Sequence, residues 1–149
     1  MTEIDNKERI LAKSSELFMQ YGIRSVSMDD IASAMGMSKK TIYQYFVDKD
    51  ELVNEVIKVI LADNEQNCTH DCFVAENAVD EMMKAIEMME EMFRTMNPSV
   101  LFDLKKYHPK AFGIFEKHKS EYLYRIIRDN LTRGIQEELY RPDLNIDII

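Results

Sequence analysis

The chain has 149 residues, 46 % hydrophobic and 31 % charged, with a formal net charge of −8, enough for one domain or a small domain fused to a modest second one. Only four glycines and three prolines occur, which favours long uninterrupted helices over a sheet built on tight hairpins. No run reaches the about 18–20 apolar residues of a membrane span, the polar start MTEIDNKERI is not a secretory leader, and two cysteines make no disulfide framework, so the cytoplasm is the expected address.

The charge is unevenly spread. Residues 1–50 carry seven basic and eight acidic side chains, whereas residues 51–149 carry twelve and nineteen. Residues 31–47 contain no acid and include Lys39 and Lys40. Phosphate binding depends on local potential, so an acidic body excludes non-specific coating of nucleic acid but leaves room for a small docking face.

In chain order, residues 7–21 carry a helical stripe of Ile10, Leu11, Ser14, Leu17, Phe18 and Tyr21, closed by Gly22. Ser27 and Asp30 have the spacing of a capping box for a two-turn helix ending at Gly36. Ser38 caps a third helix over residues 39–46, and Asp48 caps a fourth over residues 48–61. Two short helices joined through Gly36, between longer amphipathic ones, have the layout of a helix-turn-helix. A polar stretch follows at residues 63–71. Helices are then predicted over 79–96, broken by Asn97-Pro98; over 99–107, broken by His108-Pro109; and over 111–140, ended by Arg141-Pro142. A last helix is predicted to open at Asp143.

The string Ser27-Met-Asp-Asp-Ile-Ala, then Met35-Gly-Met-Ser38, Thr41-Ile-Tyr-Gln-Tyr-Phe46 and Asp48-Lys-Asp-Glu-Leu52 resembles the tetracycline-repressor (TetR) family of one-component regulators. The resemblance covers residues 7–55. It implies an all-α fold: an N-terminal three-helix helix-turn-helix DNA-binding domain, residues 1–50, on a C-terminal helical ligand-binding and dimerisation bundle, residues 51–149. Many members have Gly just before the Thr, where this chain has Lys40, which adds positive charge at the DNA face.

Lys39, Lys40 and Thr41 fall in the first turn of the expected recognition helix, where side chains meet base edges and phosphates. Otherwise they form a solvated surface turn. Ser38 opens the same helix. Ile42 and Phe46 share an i,i+4 core face, leaving Tyr43 and Gln44 turned toward DNA and Tyr45 nearer the core. The resemblance implies that Tyr43, Tyr45 and Lys49 touch the phosphate backbone. The alternatives are core packing for the tyrosines and pairing with Asp48 or Glu51 for Lys49. Ser27 caps its helix and can meet phosphate from the same end.

Six of eleven methionines lie between residues 82 and 96. They either fill an ordinary core or, being unbranched and polarizable, line an adaptable pocket. The pocket reading gathers Met88, Met92, Phe93, Phe102, Phe112, Phe115 and Tyr122 around a small apolar or amphipathic ligand. Cys68, His70 and Cys72 fall short of the four ligands of a zinc site, so free thiols and no metal are expected. Three scattered histidines and the absence of a nucleophile elbow, phosphate loop or HExxH argue against an enzyme, and no cofactor is expected.

The reading is a ligand-responsive repressor on a palindromic double-stranded DNA operator, homodimeric in the complete protein, with no membrane partner. The rivals are a module that no longer binds DNA and a small helical enzyme. The apolar close Leu144, Ile146, Ile148 and Ile149 needs a partner to bury it. It predicts a fragment, or an unusually short member, whose native form continues for tens of residues and without which the chain is a monomer or weak dimer.

Overall fold

The computed structural model describes residues 3–148. Met1 and Thr2 of the polar start, and Ile149 of the apolar close, lie outside the described residues. The architecture is all-helical, with no strand among the described residues: α1 (Glu3–Tyr21), α2 (Met28–Met35), α3 (Lys39–Tyr43), α4 (Lys49–Val74), α5 (Ala78–Thr95), α6 (Ser99–Tyr107), α7 (Pro109–Gln136) and a closing 3-10 turn (Ile146–Ile148).

The caps read from sequence are made. The Asp30 amide donates to Ser27 Oγ at 3.1 Å and the Ser27 amide to Asp30 Oδ2 at 2.8 Å, a reciprocal capping box. The Thr41 amide donates to Ser38 Oγ, and the Glu51 amide to Asp48 Oδ1. Gly36 ends α2 in the left-handed region at φ 65°, a conformation that costs a side-chain-bearing residue about 1–2 kcal/mol. These devices fold 22 residues into three helix starts. Helix α3 is only five residues long, shorter than the span to residue 46 read from sequence, and the Phe46 amide beyond it still donates to the Ile42 carbonyl at 3.1 Å.

Ile10 and Phe18 of α1, Ile31 of α2, Ile42 of α3 and Leu52, Val53 and Val56 of α4 form one buried cluster with Phe46. Val100 and Leu104 of α6 and Ala111 of α7 belong to it too. Helix α6 is therefore cemented to the N-terminal helices by apolar burial, at roughly 1.5–3 kcal/mol per large side chain.

Three differences from the sequence reading have physical causes. Helix α4 does not stop at residue 61 but runs through the polar stretch to Val74. That stretch has no Gly or Pro to stop it. One of its faces turns inward: Cys68 is buried, and the Glu65 carbonyl accepts the Tyr122 hydroxyl of α7 at 3.2 Å. Helix α7 ends at Gln136 rather than residue 140, because Glu138 takes φ 61° and the chain folds back. In place of a helix from Asp143 there is a loop and a single 3-10 turn, with Asn145 Oδ1 accepting the Asp147 amide at 3.1 Å. Such a side-chain bond offers the backbone an alternative to helix.

Candidate nucleic-acid interface

Helix α3 is pinned from beneath by fully buried Ile42 and Phe46. Its outer surface exposes Ser38, Lys39, Lys40, Tyr43 and Gln44, with Thr41 half-buried and its Oγ1 2.9 Å from Ser38 Oγ. Lys39 Nζ lies 3.3 Å from Asp29 Oδ2 of α2 and 6.0 Å from the Tyr43 ring centroid. Lys40 has no ion-pair partner among the described residues. The structure thus gathers two ammonium groups, a phenol and an amide on one short convex turn, a set able to donate to phosphate oxygens and base acceptors. Ser27 is exposed at the start of α2, its hydroxyl already accepting the cap bond. The Ser27 amide and hydroxyl hold the Asp30 carboxyl below its ordinary pKa by hydrogen-bonding the charged form.

Two of the expected contacts are turned back toward the frame. Tyr45 is half-buried, and its hydroxyl accepts from Asn6 Nδ2 of α1 at 3.4 Å. Lys49 is half-buried, donates to the Ile23 carbonyl at 2.7 Å and lies over the Phe18 ring. Burial lowers the Lys49 pKa, with Asp103, Asp30 and Asp50 partly offsetting it. Neither Asp48 nor Glu51 is its partner: Asp48 caps α4, and Glu51 accepts the Val47 amide.

Behind this face lies a joint that sequence reasoning missed. Buried Asp103 of α6 accepts the Arg24 amide at 2.9 Å. The Arg24 guanidinium sits 4.9 Å from the Tyr107 ring centroid. His108 Nδ1 lies 2.5 Å from Asp50 Oδ1 at the start of α4. The Asn97 amide donates to the Met19 carbonyl at 2.7 Å, and its side chain to the Gln20 carbonyl at 3.2 Å. Gly22, at φ 88°, lets Ser99 approach so closely that a Cβ there would lie 2.3 Å from Ser99 Oγ. The signals were present as Asn97-Pro98 and His108-Pro109, which pattern alone reads as helix breaks.

Of the seven side chains expected around a ligand, two are more than half exposed. Phe93 is 55 % and Phe102 59 % exposed. Phe112 and Phe115 pack partly against the core, 6.3 Å apart. Tyr122 stacks on His118, and Met88 is half-buried on α5. Met92 alone lines an open cleft of about 210 Å³, with Met19 from α1, Ile60, Asp63 and Asn64 from α4, and Thr95 and Met96 from α5. Cys68 and Cys72 are free thiols, and burial first, then Glu81, pushes Cys72 up to about 12. No cluster of three or more His, Cys, Asp or Glu is placed to hold a metal among the described residues. No described helix is long and apolar enough to cross a membrane.

An exposed basic helix held by a capped helix-turn-helix defines the class of fold. Residues 10–56 match the family described as bacterial regulatory proteins, tetR family. It is similar to the HTH-type transcriptional regulator YvaF of Bacillus subtilis, at 34 % identity over 70 % of this chain and 55 % of that protein. It is also similar to YhgD of the same organism, at 29 % over 96 % of this chain and 64 % of that protein. The chain thus spans between half and two thirds of the length of these two relatives. The structure of the ketosteroid transcriptional regulator KstR2 of Mycobacterium tuberculosis shares the fold, with a TM-score of 0.65 at 21 % identity, covering 96 % of this chain and 74 % of that one.

Proposed function

We propose that the protein is a sequence-specific DNA-binding transcriptional regulator acting as a ligand-responsive repressor. The observation that carries this reading is the exposed surface of α3. Lys39, Lys40, Tyr43 and Gln44 stand free of the core on a helix whose buried side, Ile42 and Phe46, is locked. Residues 1–50 form the DNA-binding unit and residues 51–149 the regulatory body, with α4 shared between them. Ser27, Ser38 and Thr41 supply neutral donors at helix starts, where free backbone amides already favour phosphate. Lys49 and Tyr45 reach phosphate by leaving the Ile23 carbonyl and Asn6. The protein works as a cytoplasmic homodimer on a palindromic operator, its two heads reading half-sites about 34–36 Å apart. It is not an enzyme.

A ligand binding the body changes operator affinity only through a difference in its affinity for two settings of the heads. The joint of Asn97, Ser99, Asp103 and His108 against α1, Arg24 and Asp50 is the mechanical path for it. The test is selection of bound duplexes from a random pool, followed by gel shift of the winner with wild type and Lys39→Ala/Lys40→Ala. Enrichment of a two-fold symmetric sequence that the double variant fails to bind is expected. A pool that never enriches overturns the reading.

A further inference from the structure

The cleft between α1, α4 and α5 is lined by seven residues: Met19, Ile60, Met92 and Met96 are apolar, and Asp63, Asn64 and Thr95 are polar. Three thioethers, Met19, Met92 and Met96, and Ile60 supply an apolar, polarizable wall. Methionine adapts to irregular shapes because it is unbranched and its sulfur is soft. Asn64 Nδ2 reaches Met92 Sδ at 3.6 Å, bridging α4 and α5 across the wall. The Thr95 hydroxyl is committed to the carbonyls of its own helix, Glu91 at 2.9 Å and Met92 at 3.3 Å.

The only ionisable group in this lining is the Asp63 carboxylate. It has no ion-pair partner among the described residues. The nearest bases along the three helices of the cleft are engaged elsewhere: Lys13 pairs with Glu16, Lys58 with Glu55 and Arg94 with Glu91. An apolar cleft with one solvent-exposed carboxylate in its lining and no base there is complementary to a single positive charge on an apolar body. The volume of about 210 Å³ is below the roughly 300–1,000 Å³ of drug-sized pockets, which limits the occupant to a compact molecule.

We propose that this cleft is a binding site for a small lipophilic cation, an organic ammonium whose charge faces Asp63 and whose apolar part lies against Met19, Met92 and Met96. The site lies on the joint. The Met19 carbonyl holds the Asn97 amide, and Met96 directly precedes Asn97. An occupant therefore touches α1 and the α5–α6 corner together, where a small displacement alters how the head is held. This regulatory consequence rests on the repressor reading, whereas the binding itself does not.

Binding is read by the ¹³C-methyl signals of the methionines during titration with benzylammonium. The signals of Met19, Met92 and Met96 are assigned by Met→Leu variants. Those three are expected to shift together, with saturation at millimolar or lower concentration. Benzyl alcohol, of nearly the same shape but neutral, is expected to bind at least fivefold more weakly, and Asp63→Asn to weaken benzylammonium at least fivefold with an unchanged melting temperature. Equal binding of the alcohol, an unaffected Asp63→Asn variant, or shifts confined to other methionines overturns the proposal. A gel shift on the selected operator is run alongside. Cation binding without any change in operator affinity leaves the site standing and removes its regulatory role. Failure to select any operator removes the repressor reading while the methionine signals still decide the site.

Discussion

Asp103 Oδ2 accepts the backbone amide of Arg24 at 2.9 Å, so a buried carboxylate on α6 holds the loop that launches the helix-turn-helix. The same carboxylate lies close enough to Lys49 to support its charge. Asp103→Ala leaves an amide unmet and an ammonium less compensated, and hydrogen bonds to charged groups are worth about 1.5–3 kcal/mol. Urea unfolding should show a loss of that size with an unchanged m-value. Asp103→Asn retains an acceptor and should lose less than half as much. Equal stability of all three proteins would show that α6 does not hold the loop.

The exposed lysines should behave differently from the tethered one. Lys40 has no ion-pair partner among the described residues, so Lys40→Ala should leave the melting temperature unchanged. If it meets phosphate, the slope of log K against log salt should flatten by roughly 0.9. Lys39→Ala should weaken operator binding further than Lys40→Ala, because it also leaves Asp29, its 3.3 Å partner, facing the phosphates. Lys49→Ala should cost stability as well as affinity, about 1 kcal/mol for the lost bond to the Ile23 carbonyl. Salt-dependent binding isotherms and thermal melts on the same three variants separate these patterns. Identical behaviour of Lys40→Ala and Lys49→Ala would contradict the geometry.

The head was legible because its information is local. Ser27 with Asp30, Ser38 with Thr41 and Asp48 with Glu51 act within one turn each, and the structure makes all three caps. The i,i+4 pair Ile42 and Phe46 is buried as its spacing implied. Where the reading stopped short, the deciding forces were tertiary. Nothing within residues 63–71 reveals that Cys68 is buried or that Tyr122 donates to the Glu65 carbonyl, so the true end of α4 was hidden. The joint was invisible for the same reason: Asp103 and Arg24 are 79 residues apart. For the ligand side chains, the pattern named which residues are large and apolar. It did not say which face of its helix each would occupy, and Phe93 and Phe102 face outward.

Acid should loosen the head through Asp30. Its folded pKa is held down by the Ser27 amide and hydroxyl, so the folded state prefers the charged form. The resulting stability is complete above the unfolded value of about 3.9 and is lost as pH falls below that toward the folded value. Asp30→Asn should flatten the fall of melting temperature below about pH 4. It should not abolish the fall, because Asp80 is lowered in the same sense by the Glu76 amide at the start of α5. A variant whose acid limb superimposes on that of the parent would remove the capping box as a pH-linked element.

Gly134 should reverse the usual sign of a helix substitution. Replacing a helical glycine by alanine ordinarily stabilises by about 0.4–1 kcal/mol, because it reduces the freedom of the unfolded chain. Here the chain turns back after Glu138, and the amides of Leu139 and Tyr140 both donate to the Gly134 carbonyl. The returning Tyr140 ring lies against the glycine, so a Cβ would meet Tyr140 Cδ2 at 2.0 Å. The ring is not free to retreat. Its hydroxyl lies 3.0 Å from Asn130 Oδ1 and 3.2 Å from the Ala78 carbonyl, tying the end of α7 to the start of α5. Gly134→Ala should therefore cost about 1–3 kcal/mol, the range for overpacking a filled site. Tyr140→Ala should also destabilise, through the lost ring and its bonds. In the Tyr140→Ala background the obstacle is gone, and adding Gly134→Ala should now stabilise. Thermal or urea melts of the four proteins form a double-mutant cycle whose coupling energy isolates the contact. Additive effects of the two substitutions would mean that the ring does not rest on Gly134 in solution.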